Sequence, residues 1–326
     1  DDGASYSLQK NIETVGLAAY LMPKEQRPAI IFVGNQEKSD EVRELLEPLS
    51  SSFFTAANIR PSVRQEDLRP ARSALARAFV EIRKKQIPHV EELDMWAGGR
   101  MLPSVFAEGR MVHLLSKLYG AEQSLLSVNL GASAATLSVG FGEQLHTKVY
   151  PQLGMGAGIS EILKHTNLEN ITRWLTIDAS AQQISDYIQT KALYPNSIPA
   201  TKEDLQIEQA LGREALRAAM GYAQQELPAG LPALKSSLLP LFEILLVGGS
   251  VISNAPSLGQ SLLIVLDALQ PVGINTLILD QHNLLPALGA AAEVNSILPV
   301  QVLESGAFVN LATVVSPLSS ARYGTE

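Results

Sequence analysis

The chain of 326 residues reads as an α/β protein with mixed sheets flanked by helices. Three observations predict this class. Short apolar runs closed by glycine or asparagine alternate with stretches of helical spacing in the first third. The middle holds a run of β-branched and small residues with turn residues where an antiparallel hairpin needs them. The last third then returns to strand–helix alternation.

Ala29–Val33 has the length of a buried parallel strand, and Gly34-Asn35 closes it. Ser39–Leu49 carries Val42, Leu45 and Leu46 at helical spacing, and Phe53–Ala57 is a second strand closed near Asn58 and Pro61. Pro70–Gln86 repeats Ala74, Ala76, Phe79, Val80 and Ile82 in a long amphipathic helix whose basic tail, Arg83-Lys84-Lys85, suits the macrodipole. His89–Pro103 reads as loop, with Gly98-Gly99, and Ser104–Leu118 as helix. Leu125–Val139 around Gly131, a turn at Phe141-Gly142-Glu143 and a strand at Leu145–Tyr150 form the hairpin region. Gly154-Met155-Gly156-Ala157-Gly158 opens a helix to about His165, followed by helices at Ile171–Leu175, Ala181–Leu193 and Thr201–Leu227. Glu243–Val247 is a buried strand ending at Gly248-Gly249-Ser250. Ser257–Leu269 is a helix, Ile274–Asp280 a strand, Leu284–Val294 a helix, and Val300–Leu303 with Phe308–Val315 a final strand pair. The best boundary lies at Tyr119-Gly120, which gives domains 1–119 and 120–326, the second with a helical insertion over about 166–227.

Composition removes several function classes. No cysteine means no disulfide scaffold and no thiolate chemistry. A net charge of −8, with no basic run longer than Arg83-Lys84-Lys85, argues against nucleic acid, and 6 % aromatics against a base-stacking surface. Leu238–Ile252 is broken by Glu243 and Gly248-Gly249, and Leu258–Leu269 contains Asp267, so neither reaches the roughly 18–20 apolar residues a membrane span needs. The acidic start, Asp1-Asp2-Gly3, is unlike a signal peptide, and the expected location is the cytoplasm.

His89, His113, His146, His165 and His282 are scattered without metal-ligand spacing, so no metal site and no catalytic residue is assigned. Asp280 and His282 stand at the carboxyl end of a strand, where α/β folds often place ligands, and an Asx turn leading into a helix is the favoured reading. No nucleophile elbow, Walker loop or strand-linked Gly-x-Gly-x-x-Gly is present. Two glycine sites remain. The hairpin Val128–Ser133 offers Asn129, Gly131 and Ser133 to a phosphate, because small residues allow close backbone approach. Gly248, Gly249 and Ser250 follow a buried strand and suit a flat adenosine group, while Gly154 and Gly156 form a third, weaker glycine site. Each also reads as a turn needing a permissive backbone. In this order, hairpin first and strand–Gly-Gly second, they describe half of an actin-like nucleotide cleft.

The same residues resemble the MutL family of accessory proteins of glutamate mutase, distinct from the mismatch-repair protein of that name. The resemblance rests on Leu246-Val247-Gly248-Gly249-Ser250, Leu266-Asp267-Ala268-Leu269-Gln270-Pro271-Val272-Gly273, Leu279-Asp280 and Leu285–Ala290. Upstream, Val33-Gly34-Asn35 with Asp40-Glu41-Val42, Ala57–Pro61, Pro70-Ala71-Arg72 and Met101-Leu102-Pro103-Ser104 keep the family's order. The resemblance implies an actin/Hsp70-like ATPase (ASKHA) fold of two ribonuclease-H-like halves, ATP or ADP with Mg²⁺ as ligand, and a chaperone-like reactivating role beside an adenosylcobalamin-dependent mutase. Two departures qualify it. Asp2-Gly3 resembles the end of the family's first phosphate segment, which implies a truncated fragment or split protein lacking most of the first half. The family's Val-Asp-Val-Gly-Gly-Ala-Thr-Thr-Asp falls on Val128–Thr136, where Asn129 replaces the first carboxylate, Ala132 a glycine, and Ala134 and Ala135 the hydroxyls. An amide holds Mg²⁺ far more weakly than a carboxylate.

The expected protein is therefore a degenerate module, a pseudo-ATPase serving as scaffold or chaperone-like regulator. Its partner is a protein, either a cobalamin-dependent mutase or the missing half of its own fold, and the helices Pro70–Gln86 and Thr201–Leu227 would face it. Two alternatives stand beside this: an ATP-hydrolysing reactivating factor completed by the missing half, and a self-assembling cytoskeleton-type module.

Overall fold

The computed structural model of the chain describes residues 5–62, 64–120, 123–227, 230–232 and 240–317. It divides into two units, Asp1–Phe106 and Ala107–Glu326.

The first unit contains α1 (Ser5–Leu21), β1 (Ala29–Phe32), α2 (Ser39–Leu46), β2 (Ser52–Thr55), α3 (Arg69–Gln86) and α4 (Val90–Trp96). β1 and β2 pair in parallel, Ala29 opposite Ser52 and Phe32 opposite Thr55, and α2 makes the crossover. Val42 and Leu46, one turn apart on α2, meet Ile12 of α1 in a small core that Ile30, Phe32 and Phe53 partly close. The segment read as loop over His89–Pro103 contains α4. Two tertiary contacts secure that helix: Lys84 pairs with the buried Asp94 carboxylate, which also accepts the Met101 N–H at 3.1 Å. His89, at φ 66°, turns the chain between α3 and α4.

The second unit is built on α5 (Ser104–Tyr119), whose first three residues fall in the first unit. The meander β3 (Ser124–Leu130), β4 (Ala135–Phe141) and β5 (Gln144–Tyr150) follows, then α6 (Leu168–Thr172), α7 (Ala181–Leu193), α8 (Lys202–Gln224) and β6 (Ile244–Gly248). After these come α9 (Ser250–Ser253), α10 (Leu258–Leu269), β7 (Gly273–Leu279), α11 (Leu284–Ala291), α12 (Leu298–Glu304) and β8 (Val309–Ser316). The six strands lie in the order β5-β4-β3-β6-β7-β8. β3, β6 and β7 are parallel, while β4, β5 and β8 run against their neighbours. This is the mixed sheet flanked by helices that the sequence predicts.

Strand alternation divides the apolar residues between two faces. Leu126, Val128, Leu130, Leu245 and Val247 pack with α8 and α10 in the larger core. Leu125, Ile244 and Leu246 pack with Met111, Val112 and Leu115 of α5 and Leu285 and Leu288 of α11. The two compact units divide in sequence at Phe106/Ala107, and α5 completes this second face. Its approach to α11 is close: a Cβ on Gly289 would lie 1.8 Å from the Ala107 carbonyl oxygen.

Three local readings are corrected. The helix expected to reach His165 is a pair of 3₁₀ turns, Pro151–Leu153 and Ile159–Lys164. Val300–Leu303, expected as a strand, lies within α12. The helix expected at Ile171–Leu175 is α6, three residues earlier. α8 does not present a partner face along its stripe, because Ile207, Leu211, Leu216 and Met220 are buried in the larger core. α7 and α8 each begin with a capping box, Ser180 with Gln183 and Thr201 with Asp204. None of the described helices is long and apolar enough to cross a membrane.

Candidate functional site

The carboxyl ends of β3, β6 and β7 meet at one end of the sheet, where open α/β sheets place ligands. β3 ends at Leu130, and a tight turn closed by Gly131 N–H to Ala134 O at 3.0 Å returns the chain into β4. The segment after β5 lies over this turn: Met155 N–H donates to Gly131 O at 3.0 Å and Gly156 N–H to Ala132 O at 2.8 Å. A Cβ on Gly154 would stand 2.6 Å from Ala132 O, and one on Gly156 2.9 Å from it. Gly154 and Gly156 are thus glycines because the chain itself approaches there. Both are buried, whereas Ser133 is exposed and Gly131 half-buried.

β6 brings the second glycine pair beside the first, with Gly248 opposite Asn129 in the parallel register. Gly249 has φ 99°, and a Cβ there would come within 2.2 Å of Leu130 O, so no other residue fits. Gly248 differs. A Cβ on it would meet the Asp280 oxygen and Cβ at 3.5 and 3.6 Å, ordinary contacts, so internal packing does not demand that glycine. Ser250, exposed, opens α9. The structure thus gathers Asn129, Gly131, Ser133, Gly154, Gly156, Gly248, Gly249 and Ser250 around one sheet end.

β7 contributes Asp280, buried, whose carboxylate accepts the N–H groups of Leu284 and Leu285 at 2.8 and 2.9 Å and so caps α11. His282 is exposed beside it, and Asn283 takes the left-handed conformation at φ 53°.

Sequence reasoning missed Glu108 of α5. It is 2 % exposed. Its carboxylate accepts Ser127 Oγ at 3.1 Å on one oxygen and Asn129 Nδ2 at 3.2 Å on the other, bridging two residues that share one face of β3. Burial pushes the Glu108 carboxyl up to about 7; the bonds from Ser127 and Asn129 oppose this, and the charge of Asp280 adds to it. One signal could have found it. Glu108 lies three, four and seven residues before Met111, Val112 and Leu115, a carboxylate on the apolar stripe of a helix.

The donor set does not fit a directly held Mg²⁺. Both Asp280 oxygens cap α11 and both Glu108 oxygens hold β3 side chains, which leaves only the uncharged amide oxygen of Asn129 at the turn. Among the described residues no group of three or more His, Cys, Asp or Glu is arranged to hold a metal ion.

A family model described as MutL protein matches residues 1–306. Among solved structures, the chain is similar to the ethanolamine utilization protein EutJ from Carboxydothermus hydrogenoformans, at 15% identity over 78% of this chain and 73% of that chain, with a TM-score of 0.34. It is also similar to a chain of the PilM-PilN type IV pilus biogenesis complex, at 15% identity over 81% and 84% of the two chains, with a TM-score of 0.31. No curated protein matches the chain.

Proposed function

Starting from the fact that the chain belongs to the MutL protein family, matched over residues 1–306, we propose that it is a non-catalytic nucleotide-binding module acting on a protein partner as scaffold or chaperone-like regulator. The partner class is an adenosylcobalamin-dependent mutase such as glutamate mutase. The reading rests above all on Asn129. It stands where the family's motif has a carboxylate, and its NH₂ is bonded to Glu108 and, at 3.4 Å, to Asn283. Without a charge there, an attacking water and its metal ion have no anchor in this half of the cleft. ATP or ADP would lie with its phosphates at Asn129, Gly131 and Ser133 and its adenosine at Gly248, Gly249 and Ser250, while Gly154 and Gly156 brace the turn.

Calorimetric titration with ATP and ADP, with and without Mg²⁺, tests this. We expect micromolar binding, about −8 kcal/mol, little changed by Mg²⁺ and without phosphate release. Mg²⁺-dependent phosphate release would overturn the non-catalytic reading, and no heat at millimolar nucleotide would leave a scaffold alone. Co-purification with the mutase tests the partner. A second reading, ATP hydrolysis by a completed cleft, is favoured by the first unit, where β1 and β2 form a parallel sheet of two half-buried strands. Parallel sheets are ordinarily larger and covered on both faces. That reading takes this unit as the remainder of a first actin-like half, and predicts Mg²⁺-dependent turnover once the missing strands are supplied.

A further inference from the structure

Asn129 can present either of two chemistries to the cleft, since its amide carries a carbonyl acceptor on one side and an NH₂ donor on the other. Which one faces out is set by the neighbours of the other. Glu108 Oε2 and Asn283 Oδ1 are both acceptors, at 3.2 and 3.4 Å from Nδ2, so the NH₂ is turned towards α5 and α11. Oδ1 then lies on the hairpin side, 3.8 Å from where a Gly131 Cβ would stand.

We propose that Glu108 is a positioning residue that sets the polarity of this site. Its ionised carboxylate holds the Asn129 NH₂ inward and leaves an acceptor oxygen at the turn, whereas its protonated form donates to Oδ1 and, as the exposed Asn283 amide turns to offer its own NH₂, releases the Asn129 NH₂ to receive an anion. This rests on the nucleotide reading above and names its regulation, because a donor at Asn129 favours phosphate oxygens and an acceptor repels them.

The surroundings allow the exchange. From β3, Glu108 is faced by the Ser127 hydroxyl and the Asn129 amide, which carry no charge. Burial resists ionisation most, the negative charge of Asp280 at the end of β7 adds to it, and against the bonds from Ser127 and Asn129 they bring the carboxyl to about 7. Arg110, on α5 itself, is paired with Glu293 beyond α11 at 2.9 Å, and the β6 residues on the α5 face, Ile244 and Leu246, are apolar. The carboxyl therefore changes state within the range of ordinary buffers.

The test uses the whole chain, labelled with ¹⁵N at asparagine, and Glu108→Gln, which keeps the size and cannot ionise. In the wild type the Asn129 side-chain NH₂ signals, assigned with Asn129→Ser, should shift between pH 6 and pH 8, and in Glu108→Gln they should stay constant. Signals constant in both, or moving alike in both, overturn the positioning role whether or not nucleotide binds. ADP affinity should rise about fivefold from pH 8 to pH 6 in the wild type beyond any change in Glu108→Gln, the size of one hydrogen bond. Equal pH slopes in the two proteins overturn the control of ligand polarity. No ADP binding in either overturns the nucleotide reading, and the NH₂ titration still decides the amide.

Discussion

At Gly249 a methyl group has nowhere to go, and at Gly248 it does. Gly249→Ala would push a Cβ to 2.2 Å from Leu130 O at φ 99°, so we expect a loss of about 2–4 kcal/mol in urea denaturation. Gly248→Ala adds contacts no closer than 3.5 Å, so stability should change by less than about 1 kcal/mol. ADP affinity, if the cleft binds as proposed, should nevertheless fall. Equal destabilisation by both substitutions would remove the distinction on which the nucleotide reading leans. Glu108 carries a pH-dependent counterpart. Its folded carboxyl titrates at about 7 against an ordinary value of 4.5. The native state therefore holds a proton that the unfolded chain releases, and stability falls as pH rises from the lower value to the higher. Above neutrality the cost is complete, about 3 kcal/mol from the two values. Glu108→Gln should thus match the wild type near pH 4 and exceed it by about that amount at pH 8, measured by denaturant midpoints.

Among the elements, α6 and α8 are joined by one buried carboxylate. Glu214, 5 % exposed, accepts Thr166 Oγ at 2.6 Å, Trp174 Nε1 at 2.8 Å and Arg173 at 3.1 Å. Glu214→Ala strands these donors and should cost about 3 kcal/mol. Fluorescence should report it as a red shift of Trp174, since the other tryptophan, Trp96, is already 80% exposed. Glu214→Gln, which keeps an acceptor for the indole, should shift the emission less. The strands and the long helices after residue 60 were legible in the sequence because each carries its own periodicity: Ile244–Gly248 is buried throughout, and Ala181–Leu193 has caps and a stripe, whereas α1 (Ser5–Leu21) was not read. α4 was not, because its stability comes from Lys84 meeting Asp94, a pairing between elements. α12 was misread since Val300, Val302 and Leu303 favour a strand while Pro299 at the helix start decides otherwise. The glycines of the site could be read from the chain because turns leave composition signals. Glu108 could not be joined to Asn129 without knowing that α5 covers the Ser127–Asn129 face of β3.

Across the whole molecule, the two units differ in what holds them. The first closes a small core around Ile12, Val42 and Leu46, whereas the second has an apolar core on each side of a six-stranded sheet. Unfolding should therefore depart from a two-state transition. Calorimetry should show two steps, the first unit melting at the lower temperature, and limited proteolysis should cut between α4 and α5 to leave a resistant piece beginning near Ser104. One sharp transition with coincident probes would contradict this. Helix α5 starts within the first unit and continues in the second, and at Ala107 it rests backbone to backbone on Gly289. A helix seated that way behaves as an axle in its bearing. It has no side-chain cushion, and the next residue along is Glu108. A methyl group added at Gly289 would therefore displace Ala107 and be felt at the bond from Asn129 to Glu108, which makes that bond the pointer of the bearing.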